Sequence, residues 1–479
     1  MGVTKNFFYN SSITVSTYLV SFLVFPYVSR VLGVSNVGTI GFVDNVINYF
    51  VMFSVLGIQT VGIREIATQN NRGDTTKVFS GLLSFLIVTI SVCLLIYFLC
   101  VFLLRDFQPY RKLLLIGVCK LMFTPLMIEW LYAGKQDFKY ISIRTIVIKV
   151  LYLVSIFVFV RNSDDTDIYF MLTSLSVFAN FCVNSLAARK YIDIRNFKFT
   201  PLVYAGPIMK MGVFAIITSL YSGFNVICLG KVSTMFQVGL YCTAIKLYDI
   251  IMNLFRSYTS VVMPQMSLLV SNKKNRDIDI LVNKSFSAFF SFSIPLSVMT
   301  ILLSPFIVRV IAGDDYIEAS TPMRIIMPIL VVAGINQVIG VQILMPLKKD
   351  NILLITASLA SFVGILSNLI LDTKYGAVGA AITILLAETI GCIGGIYYTQ
   401  SRHLISFPIK LFMKYVLSSI PYVILYFLLK MFNVETTFAN ILIIIFFLGY
   451  YVVQQIYICD NPLIIMLVNR IRRGRDSEK

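Results

Sequence analysis

The chain has 479 residues, 58% of them hydrophobic and 13% charged, with a mean hydropathy of +0.84 and a formal net charge of +17. So few polar groups cannot cover a water-soluble globule of this size, so the chain is read as dissolved in lipid. The excess of Lys and Arg is then a topology and membrane-surface signal, and nucleic-acid binding is set aside.

Hydrocarbon offers no partner for backbone N–H and C=O groups, so spanning segments are helices or strands of a closed barrel. Continuous apolar runs of about 20 residues select helices. Fourteen spans are predicted, at 8–32, 38–61, 79–104, 112–132, 140–160, 168–188, 205–229, 236–262, 285–310, 322–345, 352–371, 376–399, 409–431 and 439–459. The first is too long and too thinly charged at its flank for a cleavable signal peptide. Lys and Arg crowd the connections on the N-terminal side, including Arg72, Lys77, Lys135, Lys139, Lys190, Lys198, Lys273, Lys274, Lys348 and Lys349, and the tail Arg470, Arg472, Arg473 and Arg475. The opposite side carries the acids Asp164, Asp165, Asp167, Asp314, Asp315 and Glu318. Both termini are therefore expected in the cytoplasm.

Two stretches of the chain carry the same punctuation. Leu32-Gly33, Ser35 and Val37-Gly38 in the first half answer to Leu229-Gly230, Ser233 and Val238-Gly239 in the second. Further on, Glu129-x-Leu131 with Lys135-x-Asp137 answers to Gln342-x-Leu344 with Lys348-x-Asp350. Both matches run in the same order and separate the same number of spans, which points to duplication. Six spans return the chain to its starting side, so the copies enter the membrane in the same sense. The expected organisation is a first lobe at 1–188, a cytoplasmic linker at 189–204, a second lobe at 205–400, two appended spans at 401–460 and a basic tail at 461–479.

Several chemistries have no residues to carry them. No phosphate-binding Gly-x-x-x-x-Gly-Lys-Ser/Thr loop is present, His403 stands in a basic loop, and the eight cysteines lack metal-ligand spacing and read as small packing residues. No cofactor or metal is expected, and the chain is expected not to be an enzyme. The ionisable residues inside the spans remain: Asp44, Lys120, Glu129, Lys149, Lys246, Asp249, Arg256 and Glu388. Each costs about 2.5–3.5 kcal/mol at a helix centre, so they should face the bundle interior or a wet cavity. Lys246 and Asp249, three residues apart, share a helix face and could satisfy each other, and Asp249 could also reach Arg256. Lys120 and Lys149 have no partner at helical spacing, which favours a cavity. Pro26, Pro125, Pro295, Pro328 and Pro421 fall inside spans, where each removes a backbone bond.

These residues resemble the bacterial polysaccharide-unit flippases of the multidrug/oligosaccharidyl-lipid/polysaccharide exporter superfamily. The resemblance is carried by Asn6-Phe7, by Pro26-Tyr27-Val28-Ser29-Arg30-Val31-Leu32-Gly33, and by Gly57-Ile58-Gln59-Thr60-Val61-Gly62-Ile63-Arg64-Glu65-Ile66-Ala67. It continues through Glu129-Trp130-Leu131, Phe138-Lys139-Tyr140-Ile141, Arg144-Thr145, Lys149, Leu229-Gly230, Val238-Gly239-x-Tyr241 and Lys246, and again at Tyr375-Gly376-Ala377-Val378-Gly379-Ala380-Ala381. One departure is Asn225, where an acidic residue is expected.

The resemblance implies an all-α polytopic protein of about 14 transmembrane helices, with two parallel six-helix repeats forming V-shaped lobes plus two C-terminal helices. It implies a flippase of the inner membrane that moves polyprenyl-diphosphate-linked oligosaccharide units to the outer leaflet for O-antigen or capsule synthesis. Such a protein works beside membrane lipids and the polysaccharide polymerase and chain-length machinery. Arg30, Arg64, Arg144, Lys149 and Lys246, with Lys120 and Arg256, are the expected cations of a central passage. Asp44, Glu129, Asp249 and Glu388 are the residues that could couple transport to H+ or Na+. The alternatives are a multidrug or lipid-precursor exporter of the same superfamily and, further off, a polytopic glycan polymerase.

Overall fold

The computed structural model describes residues 2–69, 71–272, 274–431 and 437–459. Lys273 and the basic tail 461–479 lie outside these. The described residues are mostly helical, with no strand among them, and the chain groups into two compact units, 1–242 with 311–315, and 243–310 with 316–479.

The first unit opens with α1 (Gly2–Leu32) and α2 (Val34–Val55), joined at Gly33, whose φ of 77° lets the chain reverse within one residue. Next come α3 (Ile58–Ala67), α4 (Arg72–Leu103), α5 (Arg111–Phe123), α6 (Glu129–Gly134), α7 (Phe138–Phe159), α8 (Thr166–Ala188) and α9 (Ala205–Val232). Helix α1 packs on α7, α2 on α4, α5 and α9, α3 on α6, and α5 and α7 on α8. The second unit contains most of α10 (Met235–Ser271) and α11 (Asn275–Ile311), then α12 (Ser320–Ile326), α13 (Ile329–Asn336), α14 (Asp350–Tyr375), α15 (Ala377–Ser401), α16 (Ile409–Ser418), α17 (Ile420–Met431) and α18 (Thr437–Val453).

Among the described residues twelve helical segments are long and apolar enough to cross a membrane, and a thirteenth is a pair bent by 41°, Asp314–Ile326 with Ile329–Leu344. Helix α9 adds a further 28-residue helix at the seventh expected span. Four spans depart from the continuous helices expected. The second ends at Val55 rather than continuing to 61, because Leu56 turns left-handed (φ 45°) and α3 starts afresh. The fourth breaks between α5 and α6 where Pro125 removes a backbone donor and Ile128 also turns left-handed. The tenth breaks at Pro328 and unwinds into a π-helical stretch, Gln337–Leu344. The thirteenth breaks at Ser419, ahead of Pro421. Pro26 and Pro295 lie within unbroken helices.

The surface is inverted relative to that of a soluble protein. Large side chains such as Leu103, Leu151, Phe362 and Ile393 stand exposed, whereas Ser29, Ser54, Asn184 and Gln342 are buried. Lipid solvates the former, and the latter find partners only inside.

The segment 189–204 is tied down along one stripe of α4. Thr76 Oγ1, Ser80 Oγ and Ser84 Oγ, spaced four apart, accept the backbone N–H of Asp193 (2.9 Å), Lys198 (3.4 Å) and Thr200 (3.1 Å). Each of the three hydroxyls donates its own proton to the carbonyl one turn back, which leaves the oxygen free to accept. Arg72 adds a bond to the Ile192 carbonyl at 2.9 Å. The triple variant Thr76→Val/Ser80→Ala/Ser84→Ala removes three hydrogen bonds worth about 1 kcal/mol each. Limited trypsin digestion of the folded protein should then cut at Arg195 or Lys198 at least about tenfold faster, while an unchanged cleavage rate would show that the segment is held elsewhere.

Candidate functional site

The charged residues expected inside the first unit's spans are brought together in pairs by helices far apart in sequence. Lys120 of α5 donates to Asp44 of α2 in a short ion pair, and its ammonium lies 5.4 Å from the centre of the Phe170 ring. A salt bridge across 76 residues cannot be seen at helical spacing, so the absence of a local partner for Lys120 does not make it free. Arg144 of α7 donates through Nη2 to Glu129 Oε1 at 2.7 Å and to Thr145 Oγ1 at 2.9 Å. Lys149, one turn further along α7, donates to Thr17 Oγ1 of α1 in a short bond, with Glu129 and Arg144 as its charged neighbours. Helix α7 is thus tied to α6 through Arg144 and to α1 through Lys149.

Glu129 reaches this position through a strained turn. Ile128 is β-branched with φ 45° and ψ 35°, a conformation costing about 1–3 kcal/mol. Asn184, fully buried on α8, holds the turn from outside. Its Nδ2 donates to the Met127 carbonyl, its own carbonyl accepts from the Tyr132 hydroxyl, and its Oδ1 accepts from the Tyr140 hydroxyl at 3.1 Å. Asn184 carries no sequence signal beyond being polar within a span, and the reading of the chain missed it.

The other expected site residues are placed as follows. Arg30 is exposed at the end of α1, its aliphatic stem beside Gly313. Arg64, also exposed, pairs with its neighbour Glu65 at 2.9 Å. On α10, no salt bridge joins Lys246 to Asp249 among the described residues. Arg256 donates to Asn253 Oδ1 at 3.1 Å, and Asn253 Nδ2 donates to the Asp249 backbone carbonyl at 2.6 Å, while Lys246 and Arg256 remain the charged neighbours of the Asp249 carboxyl. Glu388 of α15 accepts from Asn336 Nδ2 at 2.9 Å, beside the start of the π-helical stretch. Asn225 is buried on α9 and donates to the Tyr241 hydroxyl at 3.2 Å, so a neutral side chain serves the position where an acid was expected.

Outside the spans, two groups show what the loops do to charge. Asp165 receives the backbone N–H groups of Arg161 and Asn162, both at 2.8 Å, and these bonds hold its carboxyl below the usual carboxylate range. Burial pushes the Lys135 ammonium down, while its proton goes to the Gln69 carbonyl at 2.7 Å.

The repeat motifs meet directly. A Cβ on Gly38 would lie 1.8 Å from the Met235 carbonyl oxygen and 2.7 Å from the Gly239 nitrogen, and a Cβ on Gly239 would lie 2.1 Å from the Val34 carbonyl oxygen. Backbone touches backbone here, and only glycine fits on either side.

Comparison with known proteins agrees with this architecture. Residues 3–270 match the family model described as "Polysaccharide biosynthesis protein", which is more than half of the chain. A "Putative O-antigen transporter" of Escherichia coli (strain K12) is 24% identical over 401 residues, covering 81% of this chain and 95% of that protein. A "Probable low-salt glycan biosynthesis flippase Agl15" of Haloferax volcanii is 23% identical over 181 residues, 38% of each chain. Among solved structures, "Lipid II flippase MurJ, inward closed conformation" superposes with a TM-score of 0.77 at 18% identity, covering 95% of this chain and 99% of that one. An inward-facing multidrug resistance MATE family transporter of the MOP superfamily gives 0.56 at 12% identity, over 84% and 95%. The structural likenesses carry the fold, a multi-pass membrane bundle, and the family match carries the membership: the chain belongs to the polysaccharide biosynthesis protein family.

Proposed function

We propose that the chain is a flippase that moves polyprenyl-diphosphate-linked oligosaccharide units from the cytoplasmic to the outer leaflet of the inner membrane, for polymerisation outside. Beyond family membership, the observation that supports this reading most is Lys149. This amine within a span bonds a neutral threonine hydroxyl and forms no salt bridge among the described residues, which leaves it available to an incoming anion. The passage cations are Lys149, Arg30 and Lys246, and the two parallel repeats, spans one to six and seven to twelve, alternate access around them with both termini in the cytoplasm. The paired acids Asp44 and Glu129 are already committed to cations, which leaves them poorly suited to carry a coupling proton or sodium. An inside-negative potential itself drives an anionic head outward, by about 2.3 kcal/mol per charge per 100 mV. In this scheme the chain needs no cofactor and catalyses no covalent step.

The test is flipping of a fluorescent polyprenyl-diphosphate oligosaccharide in proteoliposomes. Flipping should depend on the protein, continue without an ion gradient and quicken with an inside-negative potential. Lys149→Ala should slow it about tenfold, the equivalent of one charged hydrogen bond of about 1.5 kcal/mol. Transport of soluble cations with no glycan flipping would instead mark a drug exporter.

A further inference from the structure

A groove of about 470 Å³ opens between α7 and α8 at the end where α7 begins and α8 finishes. Its walls change character along its length. Ile143, Val147 and Val183 give an exposed apolar slot, and Lys139, Arg144 and Lys190 stand at one end with Asp137. Arg144 is the informative member. Its side chain is only 2% exposed, yet Nε and Nη1 have no hydrogen-bond partner, Glu129 and Thr145 being served by Nη2. Two buried guanidinium donors without acceptors carry a desolvation cost that an acceptor from outside the chain would recover. Arg144 lies six residues into α7, roughly 9 Å along the axis from the helix start.

Charge favours an anion there. The three cations face Asp137 within the groove and Glu129 behind Arg144. Asp137 is itself engaged by the Tyr191 hydroxyl at 2.6 Å, the Tyr140 amide at 3.4 Å and Lys190 at 3.6 Å. Lys139 is exposed and points no bond elsewhere among the described residues. A ligand that fits needs one anionic oxygen-rich group and an apolar tail lying alongside the helices.

We propose that this groove binds an anionic phospholipid of the surrounding bilayer, its phosphate against Arg144, Lys139 and Lys190 and one acyl chain along Ile143, Val147 and Val183. The site is separate from the passage and holds lipid that is not transported. A phosphate at the groove mouth meets the exposed Lys139 and Lys190 directly and takes the two unused Arg144 donors once the guanidinium turns toward it, and basic clusters at the ends of membrane helices favour anionic lipids in this way.

The test is native mass spectrometry of the full-length protein, released from mild detergent after equilibration with dioleoylphosphatidylglycerol or dioleoylphosphatidylcholine. The wild type should retain the phosphatidylglycerol at least about fivefold better. Lys139→Gln/Lys190→Gln changes only exposed side chains, and Val183→Trp fills the slot, so both variants should fold and both should lose that preference. Equal retention of the two lipids by the wild type, as a water-filled groove would give, overturns the proposal. So does a preference that survives in both variants. If a polyprenyl diphosphate is retained and phosphatidylglycerol is not, the groove is a substrate gate and the phospholipid assignment falls. None of these readings requires transport, so they stand or fall apart from the flippase assignment.

Discussion

Replacing Glu129 by alanine is expected to destabilise the protein by about 3 kcal/mol, near the low end for breaking a buried ion pair. The value stays low because Glu129 keeps 41% of its side chain accessible while Arg144 keeps 2%. The cost comes from the survivor. A guanidinium already lacking partners at Nε and Nη1 would lose its remaining carboxylate and keep only Thr145. Thermal unfolding in a zwitterionic detergent would show this as a clear fall in Tm. The double variant Glu129→Leu/Arg144→Met, which removes both charges and keeps bulk, should recover most of the loss. A single Glu129→Ala variant that melts like wild type would mean that the pair has no structural weight. Adding phosphatidylglycerol should raise the Tm of Glu129→Ala more than that of wild type, because a phosphate replaces the missing carboxylate.

The second large effect is expected at Gly38. Even the methyl group of Gly38→Ala would fall 1.8 Å from a backbone carbonyl oxygen, and a backbone cannot swing aside as a flexible side chain can. Overpacking usually costs about 1–3 kcal/mol, and a clash with main chain on both sides belongs at the top of that range. Gly239→Ala should behave alike, meeting the Val34 carbonyl oxygen at 2.1 Å. Gly73→Ala is the control, since a Cβ there meets nothing within 4 Å. Urea-free thermal melts and the yield of monodisperse protein after extraction would rank the three. Equal behaviour of Gly38→Ala and Gly73→Ala would show that α2 and α10 can part without penalty.

Much of the architecture was legible because lipid makes the hydrophobic signal long and continuous. The spans at 79–104, 140–160, 168–188, 352–371 and 376–399 each became one helix close to the expected limits. The breaks were not all legible. Pro125 and Pro328 announced two of them, but the left-handed Leu56 and Ile128 are chosen by what packs around them, and neither residue type favours that conformation. At Ile128 the deciding contact is Asn184, more than fifty residues on. Charges inside the spans were easy to find and hard to pair. Helical spacing reports neighbours on one helix, so it suggested Lys246 with Asp249, which are charged neighbours without a salt bridge among the described residues, and could not suggest Lys120 with Asp44 or Glu129 with Arg144, which do form one. The stripe of Thr76, Ser80 and Ser84 was written in the sequence at four-residue spacing. It drew no notice because small hydroxyl residues in an apolar helix read as packing until a strand of linker is seen lying along them.

The contact between Gly38 and the stretch Met235–Gly239 also sets a clock. The two sides are separated by about 200 residues of chain, and a ribosome adding about 5–20 residues per second needs about 10–40 s to make that length. For that interval the stretch of α2 around Gly38 waits for a partner on α10 that does not yet exist. A nascent chain in this condition is open to lipid, to insertion factors and to membrane proteases. Glycine at position 38 permits the final contact, while its neighbours Val34 and Val37 stay uncovered until α10 is made.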